Sequence, residues 1–354
     1  MLAEFPGGGN RRIDARRAVP ECGGMRSILA GLLAMVSLGC LARATDEVVA
    51  IGHGVNLGNM LEAPREGAWG ETVHEEYFPL IKQAGFTVVR VPMSWAAHVG
   101  AGPDFKIDPA FLARVDWVVA QGEKNGLDVI LDSHNDETLV KNPEANADRF
   151  VAIWKQLAEH FQDAPPTILF ELFNEPNGKL DAPKWNALVA RTLAVVRATN
   201  PTRTVVVGPV GWNGIWALAK LELPESDRHL LVTVHFYEPF HFTHQGASWA
   251  EGSDAWLGTT WGTDADKKKI VDSFDQAAAW GTAHRRPMYL GEFGAFSRSP
   301  MEGRAQWTAF VARTAEMHHM PWTYWEFCAG FGVYDPKAKQ WRQPLLEALL
   351  PPAH

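Results

Sequence analysis

The chain has 354 residues, 46% of them hydrophobic and 21% charged, a composition that excludes disordered, collagen-like and coiled-coil architectures and leaves room for a large core. Its 33 Lys and Arg are outnumbered by 41 Asp and Glu, and the charges are scattered. No basic stripe exists to neutralise phosphates, so nucleic acid is not an expected partner.

The first predicted element is a targeting segment. From Met25 the sequence runs Met, Arg, Ser, Ile, Leu, Ala, Gly, Leu, Leu, a positive start before an apolar run too short to span a bilayer as a mature helix. Ala42, Arg43 and Ala44 supply a small-x-small cleavage pattern. Residues 1–44 are therefore expected to be an upstream extension and a secretory signal peptide, and residues 45–354 a secreted or periplasmic protein with no stable membrane insertion. Lipidation at Cys40 is the less favoured alternative, because Ser37 stands where a lipoprotein signal usually has Leu. Cys22 and Cys40 would leave with that segment, and Cys328 alone could form no internal disulfide, so stability must come from the core. A monomer is expected.

Beyond residue 44, apolar β-branched runs alternate with amphipathic stretches, the pattern of βα units around a parallel sheet. Strands are predicted at Val49–Leu57, Phe86–Pro92, Asp128–His134, Thr167–Asn174, Thr204–Val210, Leu230–Tyr237, Pro287–Phe293 and Trp322–Phe327. Helices are predicted at Pro109–Asn125, Asn146–Gln162, Ala182–Thr199, Lys267–Arg285 and Met301–His319. Eight strands with intervening helices predict an α/β fold, a single (β/α)8 TIM barrel. The longest irregular stretch, Glu238–Asp266, carries Trp249, Trp256 and Trp261, and a loop of that length usually serves a site.

In such barrels the active site lies at the C-terminal ends of the strands. These ends supply Asn56, Arg90, His134, Asn174, Glu175, His235, Tyr237, Glu292 and Trp325. Carboxylates within apolar runs such as Leu172-Phe173-Asn174-Glu175 and Leu290-Gly291-Glu292-Phe293 are costly unless paired or functional. Glu175 and Glu292, at the mouths of the fourth and seventh strands, would face each other across the axis. That is the requirement of a retaining glycosidase, in which one carboxylic acid protonates the leaving oxygen and the other carboxylate attacks the anomeric carbon from about 5 Å away. Arg90 could hold the nucleophile ionised through a charge-assisted hydrogen bond, with Tyr237 as a second donor, although Arg90 alone would more often be a core ion pair. Glu171, on the face of Glu175 but deeper, reads as a paired interior carboxylate. His235, His241 and His244 lack the spacing of a zinc site, so no metal or other cofactor is expected. Trp117, Trp154, Trp280 and Trp307 lie on predicted helices and read as outer-layer packing, whereas Trp325 is placed to lie under a sugar ring.

From about Val48 to Leu350 the chain resembles glycoside hydrolase family five, the (β/α)8 cellulases and mannanases of clan A. The resemblance rests on Gly54-Val55-Asn56-Leu57-Gly58-Asn59, Asn174-Glu175-Pro176, His235-Phe236-Tyr237, Gly291-Glu292-Phe293-Gly294 and Trp325-Glu326-Phe327, in that order. The stretches Tyr237–Trp249 and Trp325–Asp335 look like those of compact endoglucanases with mannanase side activity from thermophilic bacteria. The resemblance implies that Glu175 is the acid/base, Glu292 the nucleophile, Asn174 the contact to the sugar 2-hydroxyl and Trp325 the floor of the subsite before the scissile bond. Arg90, His134, His235 and Tyr237 complete the family's constellation, and Asn59, Glu62, Asn135, Trp212 and Trp249 match substrate-contact positions. One departure concerns the adjacent histidines that relatives carry after the third strand: here Ser133 precedes His134 and Asn135 follows, so a donor to the sugar hydroxyls is missing. The implied partner is a polysaccharide, a β-1,4-glucan with some glucomannan or mannan, cut internally in an open groove. Alternatives are an endo-β-1,4-mannanase, a lichenase or a xyloglucanase and, from another class, a noncatalytic sugar-binding barrel.

Overall fold

The computed structural model describes residues 48–352. The expected signal segment and Cys40 lie outside the described residues. Eight parallel strands form one sheet: β1 (Gly54–Asn56), β2 (Val88–Met93), β3 (Asp128–Ser133), β4 (Ile168–Glu171), β5 (Val205–Val207), β6 (Leu230–Phe236), β7 (Met288–Phe293) and β8 (Thr323–Tyr324). Each strand pairs with its chain neighbour, β1 also pairs with β8, and a parallel bridge between Leu290 and Trp322 closes the ring. This is the expected (β/α)8 barrel.

Helices fill the crossovers: α1 (Tyr77–Ala84), α2 (Pro109–Lys124), α3 (Glu137–Lys141), α4 (Pro143–His160), α5 (Ala182–Thr199), α6 (Phe240–Thr243), α7 (Asp264–His284), α8 (Met301–Met317) and α9 (Gln343–Leu349). Their starts are written in the sequence. Asp108 and Asp181 cap α2 and α5 with a proline in the first turn, and Thr263 with Asp266 forms a capping box on α7. Between β5 and β6 the crossover carries a 3-10 turn, Ile215–Lys220.

The strands divide the core by their period of two. Outward residues such as Val89, Val129, Phe170 and Val232 pack against the helices, while Val88, Ile130, Leu169, Val206, Leu231 and Tyr289, one from each of six strands, fill the barrel's interior. Two steps further along the strands the inward positions turn polar, with Arg90, Asp132, Glu171 and Thr233 all fully buried. An apolar floor under a polar layer is what sets the site at one end.

Three expectations about elements are corrected. The first strand is shorter than Val49–Leu57, because Val48 and Ile51 pack against the inner apolar layer and the Val49 N–H donates to Thr204 Oγ1 rather than joining the ladder. The chain leaves the eighth strand after Tyr324, not at Phe327. The stretch after the sixth strand is not wholly irregular, since α6 and a 3-10 turn at Ser253–Trp256 lie within it. There Trp256 stacks on His241 and the Trp261 indole donates to Gly303 O, leaving Trp249 as the exposed ring of the three.

Candidate active site

Arg90 of β2 is fully buried at the centre of the polar layer. Its Nε and Nη2 grip Glu171 bidentately at 2.7 and 2.8 Å, Nη1 donates to Asn56 Oδ1 at 2.8 Å and Glu292 Oε1 at 2.7 Å, and Nη2 also donates to Asn174 Oδ1 at 2.8 Å. All five guanidinium protons are thus committed to four residues on three strands or strand ends, a geometry lysine could not reproduce. Asp132 Oδ2 approaches Nη2 to 3.0 Å as well. Arg90 is therefore both of the things the sequence allowed, a core ion pair through Glu171 and a support for Glu292.

Glu292 reaches Arg90 by a break in the ladder. β6 and β7 pair in register through Val234 and Leu290, but His235 pairs with Glu292, so Gly291 is an extra residue. Strict alternation from the inward Tyr289 would turn Glu292 outward; the bulge returns it to the interior. A Cβ on Gly291 would lie 2.4 Å from Thr233 Oγ1, so the bulge demands glycine. The second Glu292 oxygen accepts from Tyr237 Oη at 2.8 Å. Burial, with the Glu292 charge adding to it, holds the Tyr237 hydroxyl well above its ordinary range, so it remains a donor.

Glu175 follows β4 with φ at +51°, a left-handed backbone that costs a non-glycine residue about 1 kcal/mol. Its side chain is a quarter exposed, and Oε1 lies 2.8 Å from His235 Nδ1. Burial pushes the carboxyl up to about 7 against the pull of His134 and Arg90, with the Glu171 charge helping. His235 and His134 are pushed down to about 4, chiefly by burial, so both rings are neutral near pH 7. Ligand atoms of Glu175, His235 and Glu292 all lie within 4.8 Å of one another. His241 and His244 do not join them: His241 stacks on Trp256, and His244 lies between Tyr237 and Phe240.

On the other side of the cleft, His134 lies parallel to Trp325, with centroids 5.4 Å apart and planes 8° from parallel. Gly58 leaves room for that indole; a Cβ there would stand 2.9 Å from it. Trp212 and Trp249 are about three-fifths exposed, at 59% and 61%. The turn bearing Trp212 has three successive left-handed residues, Gly211, Trp212 and Asn213, and the Gly211 N–H donates to Pro176 O directly after Glu175. Trp249 reaches the site through Phe331, which touches both it and Tyr237.

Asn59, Glu62 and Asn135 meet through loop hydrogen bonds. Asn59 is left-handed at φ +65°, and Glu62 is buried with both carboxylate oxygens occupied by the N–H groups of Asn59 and Met60. Glu62 thus holds the loop that follows the first strand. Asn135 is exposed, but its amide donates to Glu62 O. Two residues escaped the sequence reading. Asp132 could have been found, since it shares the inward parity of Ile130 and His134. Asn213, whose amide meets His235 Nε2 at 3.3 Å, lies in Gly211-Trp212-Asn213-Gly214, whose residue types announce a turn but not which side chain it aims at His235.

A (β/α)8 barrel with paired glutamates ending its fourth and seventh strands, an arginine on one and a histidine on the other, has the architecture of the clan A glycosidases. The chain belongs to the cellulase family, glycosyl hydrolase family 5, whose sequence model matches residues 48–330. It is 33% identical over 313 residues to Endoglucanase H of Acetivibrio thermocellus, covering 87% of this chain and 33% of that one. With the Cellulase/esterase CelE of the same organism it shares 30% identity over 315 residues, covering 83% and 37%. The chain thus spans about a third of the length of these two curated relatives. Among solved structures it resembles Thermotoga maritima Cel5A in complex with mannotriose and with cellobiose, each at a TM-score of 0.84 and 45% identity, covering 85% of this chain and 97% of that one.

Proposed function

We propose that this protein is a retaining endo-β-1,4-glucanase in which Glu292 is the nucleophile and Glu175 the acid/base. The observation that carries the reading is the 4.8 Å limit on the distance between their ligand atoms, which suits a covalent glycosyl-enzyme and is too short to seat the water of an inverting site. Glu292, oriented by Arg90 on one oxygen and Tyr237 on the other, attacks the anomeric carbon. Glu175, protonated below about pH 7, gives its proton to the glycosidic oxygen as that bond breaks. The carboxylate so formed then takes a proton from water, which attacks the same carbon and releases Glu292. The neutral His235 keeps Glu175 turned into the cleft through both steps. Every proton and electron pair moves between these two carboxyl groups, substrate and water, so the route requires no metal or redox group.

Trp325 would floor the subsite before the scissile bond, with the Asn174 amide at the sugar 2-hydroxyl. The exposed rings of Trp212 and Trp249 offer further stacking faces, suited to a polymer that binds along its length. The relatives named as endoglucanases support glucan, and the mannotriose complex of the Thermotoga enzyme supports glucomannan or mannan as further substrates. Residues 1–44, with the apolar run after Met25, support export of the domain 45–354. The test is reducing-sugar release from carboxymethyl cellulose, barley glucan, glucomannan and galactomannan, with viscosity followed on the first. Early viscosity collapse with few new ends is expected. Release of a single short product with little viscosity change would refute internal cleavage, and activity on galactomannan alone would make the enzyme a mannanase.

A further inference from the structure

Asp132 of β3 is fully buried, yet only one of its oxygens is partnered. Oδ2 lies 2.6 Å from His134 Nδ1 and 3.0 Å from Arg90 Nη2, whereas Oδ1 has no hydrogen-bond partner among the described residues. A buried carboxyl with an unpartnered oxygen is costly, and Arg90 is already supplied with charge by Glu171 and Glu292. Asp132 shares the neutralising of Arg90 with both of them. What it alone provides is an acceptor for His134.

The consequence runs outward along one line of contacts. A carboxyl oxygen facing Nδ1 fixes the proton there and leaves Nε2 with its lone pair. His134 Nε2 lies 3.3 Å from Asn174 Nδ2, a donor, while Arg90 Nη2 donates to Asn174 Oδ1. The amide is thus held at both ends in one orientation, and one of its two N–H bonds remains free. A proton on Nε2 would set donor against donor and release the amide.

We propose that Asp132 is a positioning residue: acting through the His134 tautomer, it fixes the Asn174 amide with a free N–H for the sugar. This inference rests on the glycosidase reading only for the role of that N–H; the tautomer itself is a property of the unliganded protein. It also bears on the ring stacked on Trp325, because turning His134 over would move the wall of the same subsite.

The test combines ring-nitrogen NMR of 15N-histidine-labelled protein with kinetics of the D132A and D132N variants on cellotetraose. The wild-type His134 spectrum is expected to show a protonated Nδ1 and a bare Nε2 at pH 7. Asp132→Ala should lose that tautomer and lower kcat/KM by about 10- to 100-fold, mostly in kcat, because the 2-hydroxyl contact tightens in the transition state. Asp132→Asn keeps an acceptor for Nδ1–H and should restore both the tautomer and most of the rate. A wild-type His134 protonated on Nε2 overturns the proposal whether or not the variants fold, as does an Asp132→Ala protein with unchanged rate. Should the wild type cleave no glucan, the glycosidase reading fails, while the spectra still decide the positioning.

Discussion

Raising the pH from 6 to 8 should switch off the acid. Desolvation pushes Glu175 up to about 7, and His134 and His235, both pushed down to about 4, change no charge across that interval. With a value near 7, about nine-tenths of the free enzyme carries the Glu175 proton at pH 6 and about one-tenth at pH 8. The kcat/KM for barley glucan should therefore fall about tenfold across that interval, with its basic limb centred on the Glu175 value. Initial rates at substrate well below KM measure this directly, with activity restored on return to pH 6 as the control for unfolding. In Glu175→Gln the limb should vanish along with about 10²- to 10⁴-fold of the rate on unactivated glucan, while an aryl cellobioside with a good leaving group loses far less in its first step. A wild-type profile that stays flat to pH 8, or a limb that survives in Glu175→Gln, would refute the assignment of that proton to Glu175.

Glu292→Ala should abolish turnover and lower the melting temperature, since Arg90 Nη1 and the Tyr237 hydroxyl each lose a buried acceptor; residual wild-type activity would dismiss it as nucleophile. Arg90→Lys should cost about 3–5 kcal/mol in chemical denaturation, because three protons cannot satisfy the acceptors now served by five, and should lower kcat as Glu292 loses its orientation. Stability should fall between pH 6.5 and 8, read as the melting temperature. Asp132, Glu175 and Glu326 are raised by burial to about 7 and Glu62 to about 8, from an ordinary 4.5 for the glutamates and 3.8 for Asp132. The folded chain therefore holds protons that the unfolded chain has given up, and this advantage is lost as pH rises through those values. The histidines lowered to about 4, His134, His235 and His244, act with opposite sign, but only below their ordinary 6.5. A melting temperature that rises from pH 6.5 to 8 would contradict the burial of those carboxyls.

The scaffold was legible because its cause is local. Apolar β-branched runs and amphipathic stretches recur at βα spacing, and prolines and aspartates mark the helix starts, so strand order and the functional end of the barrel follow from general packing rules. The glutamates, Arg90, His235 and Tyr237 could be named from their place at strand ends. How they meet could not be read in the same way, because the meeting depends on departures from regular structure. Gly291 turns Glu292 inward against the alternation of its own strand, and Asn174 reaches Arg90 only three residues after Glu171 does. Glu175 and Trp212 occupy left-handed backbone that propensity assigns to glycine. Each departure is costly by itself and is held by neighbours distant in sequence: Thr233 and His235 crowd Gly291, and Pro176 O anchors the turn of Trp212. Asp132 is the instructive exception. Its inward parity is available from Ile130 and His134, but alternation alone does not show which partner a carboxyl within the strand meets. Periodicity places a side chain in the interior; its partners there, and the oxygen left without one, emerge only once eight strands have closed around it.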